Sequence, residues 1–171
     1  MALAVGGELI HMKDVQLDPC GIINQTDPSN MQKELCPSLV RSAGAILING
    51  QGQRFCNELD SNKVMSAAIS QECSKHPTLL TSGLEQPRAY LLINMEVLAH
   101  IESDAASILQ HQDAGQSFGC VRQFCEACGV PADVLQETFA QYGRYDLTDT
   151  VCTLSCYPLL SWSYLYTILS Q

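Results

Sequence analysis

Apolar residues recur along this chain in two periods, with turn formers between them. Ala45 to Asn49 is a short continuous apolar run, the pattern of a buried strand. Gly50-Gln51-Gly52-Gln53 follows and can supply the positive φ values of a tight hairpin turn, so Arg54 to Leu59 is expected to return as a second strand or extended segment. Ala89 to Asn94, introduced by Gln86-Pro87, is another strand of the continuous apolar kind, as expected where both faces are covered. Helical periods surround these runs. Met31 to Ala43 reads as a helix that Pro37 divides into two short pieces. Ser61 suits the N-cap of a helix over Asn62 to Ser74, ended by His76-Pro77. Met95 to His111 carries Val97, Leu98, Ile101, Ala105 and Leu109 at helical spacing, and Ser117 to Cys128 reads as a further helix. Gly129-Val130-Pro131 breaks the chain before an amphipathic helix over Asp133 to Tyr145, with Val134, Leu135, Phe139 and Tyr142 on one face. The fold class is therefore α+β: a small sheet with a β-hairpin, flanked by about five helices.

Composition narrows the partners. The 171 residues suffice for one domain that buries about 70% of its unfolded surface. A net charge of -9 with no basic run argues against nucleic acid and against an anionic membrane surface. No stretch reaches the roughly 18 apolar residues of a membrane span. The first residues lack the basic and long apolar regions of a secretory signal and the arginines of a transit peptide. An intracellular setting is expected, with a mitochondrial one left open because the sequence does not give an address.

Nine cysteines without a secretory signal are expected to be free thiols. Cys120, Cys125 and Cys128 cluster, Cys125 and Cys128 in C-x-x-C spacing, and Cys152 and Cys156 follow. A thiolate zinc site or a redox pair would draw on these residues. They lie in a helical-looking segment rather than on knuckle turns, so no metal is expected. Should there be one, Cys120, Cys125 and Cys128 are its candidates. His11, His76, His100 and His111 are scattered and read as surface histidines.

The stretch from Arg41 to Leu59 carries more than a hairpin. Arg41-Ser42-Ala43-Gly44, Asn49, Gly52, Arg54-Phe55 and Asn57-Glu58-Leu59 stand at the spacing of R-G-x-G-x-x-(aliphatic)-x-N-x-x-G-x-R-F-x-N-E-(L/I). This resembles the capping-domain hairpin of the soluble fumarate reductase flavoproteins, relatives of the succinate dehydrogenase flavoprotein subunit. Met12 to Gly21 is similar to the family's M-x-x-V-Q-x-H-P-T-G crossing from the FAD domain into the capping domain. The strand at Ala89 and the last helix also have counterparts. The resemblance covers about residues 3 to 145. It implies a crossing remnant over residues 1–20, a capping-like domain over 21–145, and a divergent apolar tail over 146–171.

Where the resemblance places chemistry, the residues depart. The histidine that donates to a substrate carboxylate in the family aligns with Asp18, whose charge repels a dianion, and the threonine two positions on aligns with Cys20. The T-E-A-(V/L)-R segment is Pro37-Ser38-Leu39-Val40-Arg41, in which only Arg41 matches. The T-R-D segment is Ser61-Asn62-Lys63. Asn62 cannot deliver a proton, and Lys63 could serve only with a one-residue slip and without a guanidinium fork. No G-x-G-x-x-G loop is present, so no cofactor is expected on the chain, although FAD serves the related family.

The expectation is a non-catalytic structural or interaction protein derived from a flavoprotein capping domain, as an accessory subunit of a larger assembly. The alternative is a capping-domain fragment acting with an FAD domain on another chain. Pro158 to Leu169 is too apolar for a solvated tail. It is expected to fold back over the surface that would meet an FAD domain, or to dock on a protein partner or a second copy.

Overall fold

The computed structural model describes residues 3–8, 17–23, 35–76, 86–101, 115–143 and 145–160, with backbone alone over 152–160. Five α-helices stand among them: α1 (Ser38–Ser42), α2 (Asn62–Glu72), α3 (Met95–His100), α4 (Val121–Cys128) and α5 (Ala132–Tyr142). The strands are β1 (Leu17–Ile22), β2 (Ile46–Ile48), β3 (Lys75–His76), β4 (Gln86–Pro87), β5 (Ala89–Asn94), β6 (Gln116–Phe118) and β7 (Val151–Leu160). The α+β class is as expected.

The main sheet runs β1-β7-β5-β2, and every pairing in it is antiparallel. β7 takes β5 along one edge. Along the other it takes β6 at Val151 to Thr153 and β1 at Cys156 to Leu160. β3 and β4 form a separate two-stranded ribbon.

Strand alternation divides the core into two layers. Ala89, Leu91 and Ile93 of β5 and Leu47 of β2 face one way, against Val40, Met65, Ile69 and Val97 from α1, α2 and α3. Tyr90 and Leu92, with Ile46 and Ile48, face the other way, against Phe124 of α4 and Leu135 and Phe139 of α5. Both faces of β5 are thus covered, which is why its sequence from Ala89 to Ile93 is hydrophobic rather than alternating. The Tyr145 hydroxyl reaches the carbonyls of Gly44 (3.1 Å) and Leu92 (3.0 Å), tying the end of the α5 segment to the sheet.

Local signals explain the helix ends. Ser61 Oγ accepts from the Val64 N–H (3.4 Å) and Asn94 Oδ1 from the Val97 N–H (2.9 Å), each an N-cap that satisfies an otherwise orphaned donor. α5 stops at Tyr142 because Gly143 takes a left-handed C-cap at φ 74°, three residues before the expected Tyr145.

Four other expectations change. The return segment of the hairpin is no strand: Arg54 makes a single bridge to Ile48, and the chain then turns. The helix expected from Met31 is α1 alone among the described residues. Pro37 stands at its N-cap, and Leu35 is in a bridge with Gly21. The helix expected from Ser117 begins at Val121, because Gln116 to Phe118 pairs with β7 instead. Val151 to Leu160, read from the sequence as the start of a tail, is a strand inside the sheet. The loop over Asn24–Asn30, the C-terminal half of the helix expected over Met95–His111, and residues 161–171 lie outside the described residues.

Candidate functional site

The loop that follows β2 is built from side chains acting in place of a strand. Asn49 Oδ1 accepts from the backbone N–H groups of Gln51 and Gln53, each at 3.0 Å, which closes the turn. Gly52 sits at φ 80°. A Cβ there would stand 3.1 Å from Val130 Cγ1 and 3.3 Å from the Pro131 carbonyl. Only glycine both adopts that φ and allows the close approach. Thr138 of α5 completes the seam by donating to the Gly52 carbonyl at 2.8 Å.

Glu58, 4% exposed, closes the loop. Its Oε1 accepts from the Leu47 N–H at 2.9 Å, taking the ladder position a return strand would have filled. Arg54 grips the same carboxylate, Nε at 3.1 Å from both oxygens and Nη2 at 2.7 Å from Oε2. The Arg54 guanidinium lies 5.0 Å from the centre of the Tyr142 ring. Glu58 is the first cause of the upward shift in the Arg54 pKa.

Arg41 on α1 is the link from this loop to a second polar group. It is 6% exposed. Nη1 donates to the Glu58 carbonyl at 3.4 Å and to Met65 Sδ, and Nη2 donates to Asn62 Oδ1 at 3.4 Å. Asn62 then donates through Nδ2 to Asp18 Oδ2 at 3.4 Å, across 44 positions of sequence. The other Asp18 oxygen accepts from the Cys20 N–H at 3.1 Å, at the irregularity in β1. Three positions to which the resemblance assigns substrate or proton handling, 18, 41 and 62, therefore stand in one chain of hydrogen bonds. Sequence spacing gave no sign that Asn62 bridges the other two. Arg41 Nε is buried with no hydrogen-bond partner among the described residues. Lys63, next along α2, is exposed and stands outside the chain.

Cys120, Cys125 and Cys128 all belong to α4 and its N-cap. Cys120 is the N-cap residue of α4, Cys125 is buried and Cys128 half-buried at the helix's carboxyl end. Burial, the first cause for each, pushes both the Cys125 and the Cys128 thiol up. The carboxyl end of a helix also disfavours a thiolate, whereas redox C-x-x-C pairs use the amino end. Among the described residues no three His, Cys, Asp or Glu side chains are grouped to hold a metal. A cavity of about 500 Å³ opens between the β2 loop and α5, lined by Asn49, Arg54, Glu72, Glu137 and Tyr142, and includes none of Asp18, Arg41 and Asn62.

A flavin's pyrophosphate needs a glycine turn opening onto a helix N-terminus. Gly50-Gln51-Gly52 does not fit. Gly52 packs on Val130 and Pro131, and the next helix begins only at Asn62. Among the described residues no helix is long and apolar enough to cross a membrane.

The sequence profile of the family described as "FAD binding domain" matches residues 1–147. The chain is 27% identical over 145 residues to the fumarate reductase of Schizosaccharomyces pombe, covering 84% of this chain and 25% of that protein. It is 40% identical over 70 residues to fumarate reductase 1 of Saccharomyces cerevisiae, covering 40% of this chain and 15% of that one. The chain thus spans a quarter or less of the length of these relatives. Its fold is similar to the open conformation of a flavocytochrome c3 fumarate reductase, at a TM-score of 0.59 and 18% identity, over 94% of this chain and 28% of that one.

Proposed function

Since the chain belongs to the FAD binding domain family of fumarate reductase-like flavoproteins, we propose that it is a non-catalytic structural or interaction protein built on that family's capping domain. One observation carries the reading: the Asp18 carboxylate is held toward Arg41 through Asn62. A dicarboxylate approaching Arg41 meets a fixed negative charge, and transition-state stabilisation needs donors at that place rather than an acceptor. Asn62 has no proton to deliver and Lys63 is exposed and outside the chain, so among the described residues the donor that the family places here has no replacement. The accessory role in a larger assembly, and docking through residues 158–169, belong to this reading.

A second reading rests on a different observation. The Arg41 Nε without a partner among the described residues is a donor that an anion could still take. It supports a capping fragment that works with an FAD domain supplied elsewhere. The experiment is to offer the purified chain fumarate and a reduced viologen donor and to record its visible spectrum. The first reading expects no succinate and no flavin absorbance. Turnover, or flavin near one per chain, overturns it, and succinate formed only after an FAD domain is added favours the second.

A further inference from the structure

Four thiols gather in one layer of the core, beside the polar chain just described. Cys20, Cys36 and Cys73 are buried in the layer that packs α1 and α2 on the sheet, and half-buried Cys56 packs against them. Two of the four stand opposite each other on paired backbone. Gly21 and Leu35 form an antiparallel bridge, which sets Cys20 opposite Cys36. The Cys36 N–H donates to the Cys20 carbonyl at 2.9 Å. Residues opposed in this way have Cα atoms about 4.5–5.5 Å apart, inside the roughly 4.4–6.8 Å that a disulfide spans. The two thiols also interact: burial first, and Cys20 next, push the Cys36 thiol up.

We propose that Cys20 and Cys36 form a modification site, a thiol pair that a peroxide-class oxidant converts to a disulfide. Where the pairing of Gly21 with Leu35 opens, one sulfur is exposed, ionises and attacks a peroxide oxygen. The O–O bond breaks, an S–O bond forms, and the departing hydroxide takes the thiol proton as water. The second sulfur attacks the resulting sulfenic acid. The S–S bond forms, the S–O bond breaks, and the hydroxyl leaves with the second thiol proton as another water. Two thiols lose two electrons and one peroxide gains them.

The cross-link would join β1 to the entry of α1. It would therefore clamp the two ends of the polar chain, since Cys20 donates its N–H to Asp18 and α1 carries Arg41. It rests on the strand pairing alone and holds whether or not the chain is catalytic.

The test uses the full chain. The protein is incubated with hydrogen peroxide to completion, blocked with a maleimide under denaturing conditions, and mapped as non-reduced peptides by mass spectrometry. A Cys20–Cys36 peptide is expected as the main disulfide. The unfolding midpoint should rise by roughly 5–10 °C, as for closing a loop of about 15 residues, and dithiothreitol should reverse both changes. Cys36→Ala should lose the midpoint shift. Cys56 is the rival partner, because its thiol also interacts with Cys20. A main product joining Cys20 to Cys56, a Cys36 still free after Cys56 has been oxidised, or a cross-linked chain with an unchanged midpoint would overturn the proposal.

Discussion

The loop that ends at Glu58 and the hydrogen-bond chain that ends at Asp18 meet at Arg41, yet they treat buried charge in opposite ways. In the loop, the Glu58 carboxylate receives the Leu47 N–H and two nitrogens of Arg54, so its charge is matched by a guanidinium and its lone pairs are used. In the chain, the Arg41 guanidinium has only neutral acceptors among the described residues, and the nearest carboxylate in the chain is one amide away. The loop is complete without any ligand. In the reading proposed above, the chain is a site in which the Asp18 carboxylate stands where an anion would. The loop keeps the family residues Asn49, Gly52, Arg54 and Glu58, whereas the chain keeps Arg41 and departs at Asp18 and Asn62. The loop residues close the fold through hydrogen bonds of their own, and the resemblance assigns the positions of the chain to ligand handling.

The sharpest way to break the loop is Glu58→Ala. It strands the buried Leu47 N–H and leaves the partly exposed Arg54 without its ion pair, at a cost of about 2–3 kcal/mol, read from denaturant unfolding. Gly52→Ala strikes the same loop through its backbone. A side chain at φ 80° and 3.1 Å from Val130 should cost about 1–3 kcal/mol, and the same unfolding curves would show it. Little or no loss in either variant would mean that the loop is not the rigid half.

The other half is probed by deleting Pro158 to Gln171. The pairings of Leu159 with Asp18 and Leu160 with Leu17 disappear. Loss of about 1–2 kcal/mol is expected from the ladder bonds alone, with lower solubility or a changed oligomeric state if the segment also covers a surface. A truncated chain as stable and as soluble as the full one would remove the segment from the account.

A smaller effect comes from pH. Burial pushes the Cys56 and Cys73 thiols from 9.0 up to about 12. The folded chain therefore keeps protons that the unfolded chain releases, so this stability is full below pH 9 and declines as pH rises toward 12. Unfolding midpoints across that range should fall less steeply in a Cys56→Ser, Cys73→Ser double variant. Equal slopes would count against buried neutral thiols.

Much of the fold was legible where the deciding interactions are local. Ser61 marked the start of α2 and the apolar run marked β5, because a cap and a doubly covered strand are written within a few residues. What the sequence concealed was non-local. Ser117 and Phe118 read as helix, but they pair with β7 instead. β7 itself read as a tail because its place depends on β1 and β5, far back in the chain. The return strand was lost to Glu58, whose carboxylate does by side chain what the pattern assigned to backbone. The site was half legible. Position by position, the departures at Asp18 and Asn62 could be seen, but their hydrogen bond to each other could not.

The central claim is that Asp18 closes the anion site at Arg41. Calorimetric titration of the full chain with succinate, beside Asp18→Asn, tests it most directly. The account predicts no saturable heat from the unmodified chain and measurable binding once the charge at position 18 is removed. Saturable binding of succinate by the unmodified chain, unaffected by Asp18→Asn, would contradict it.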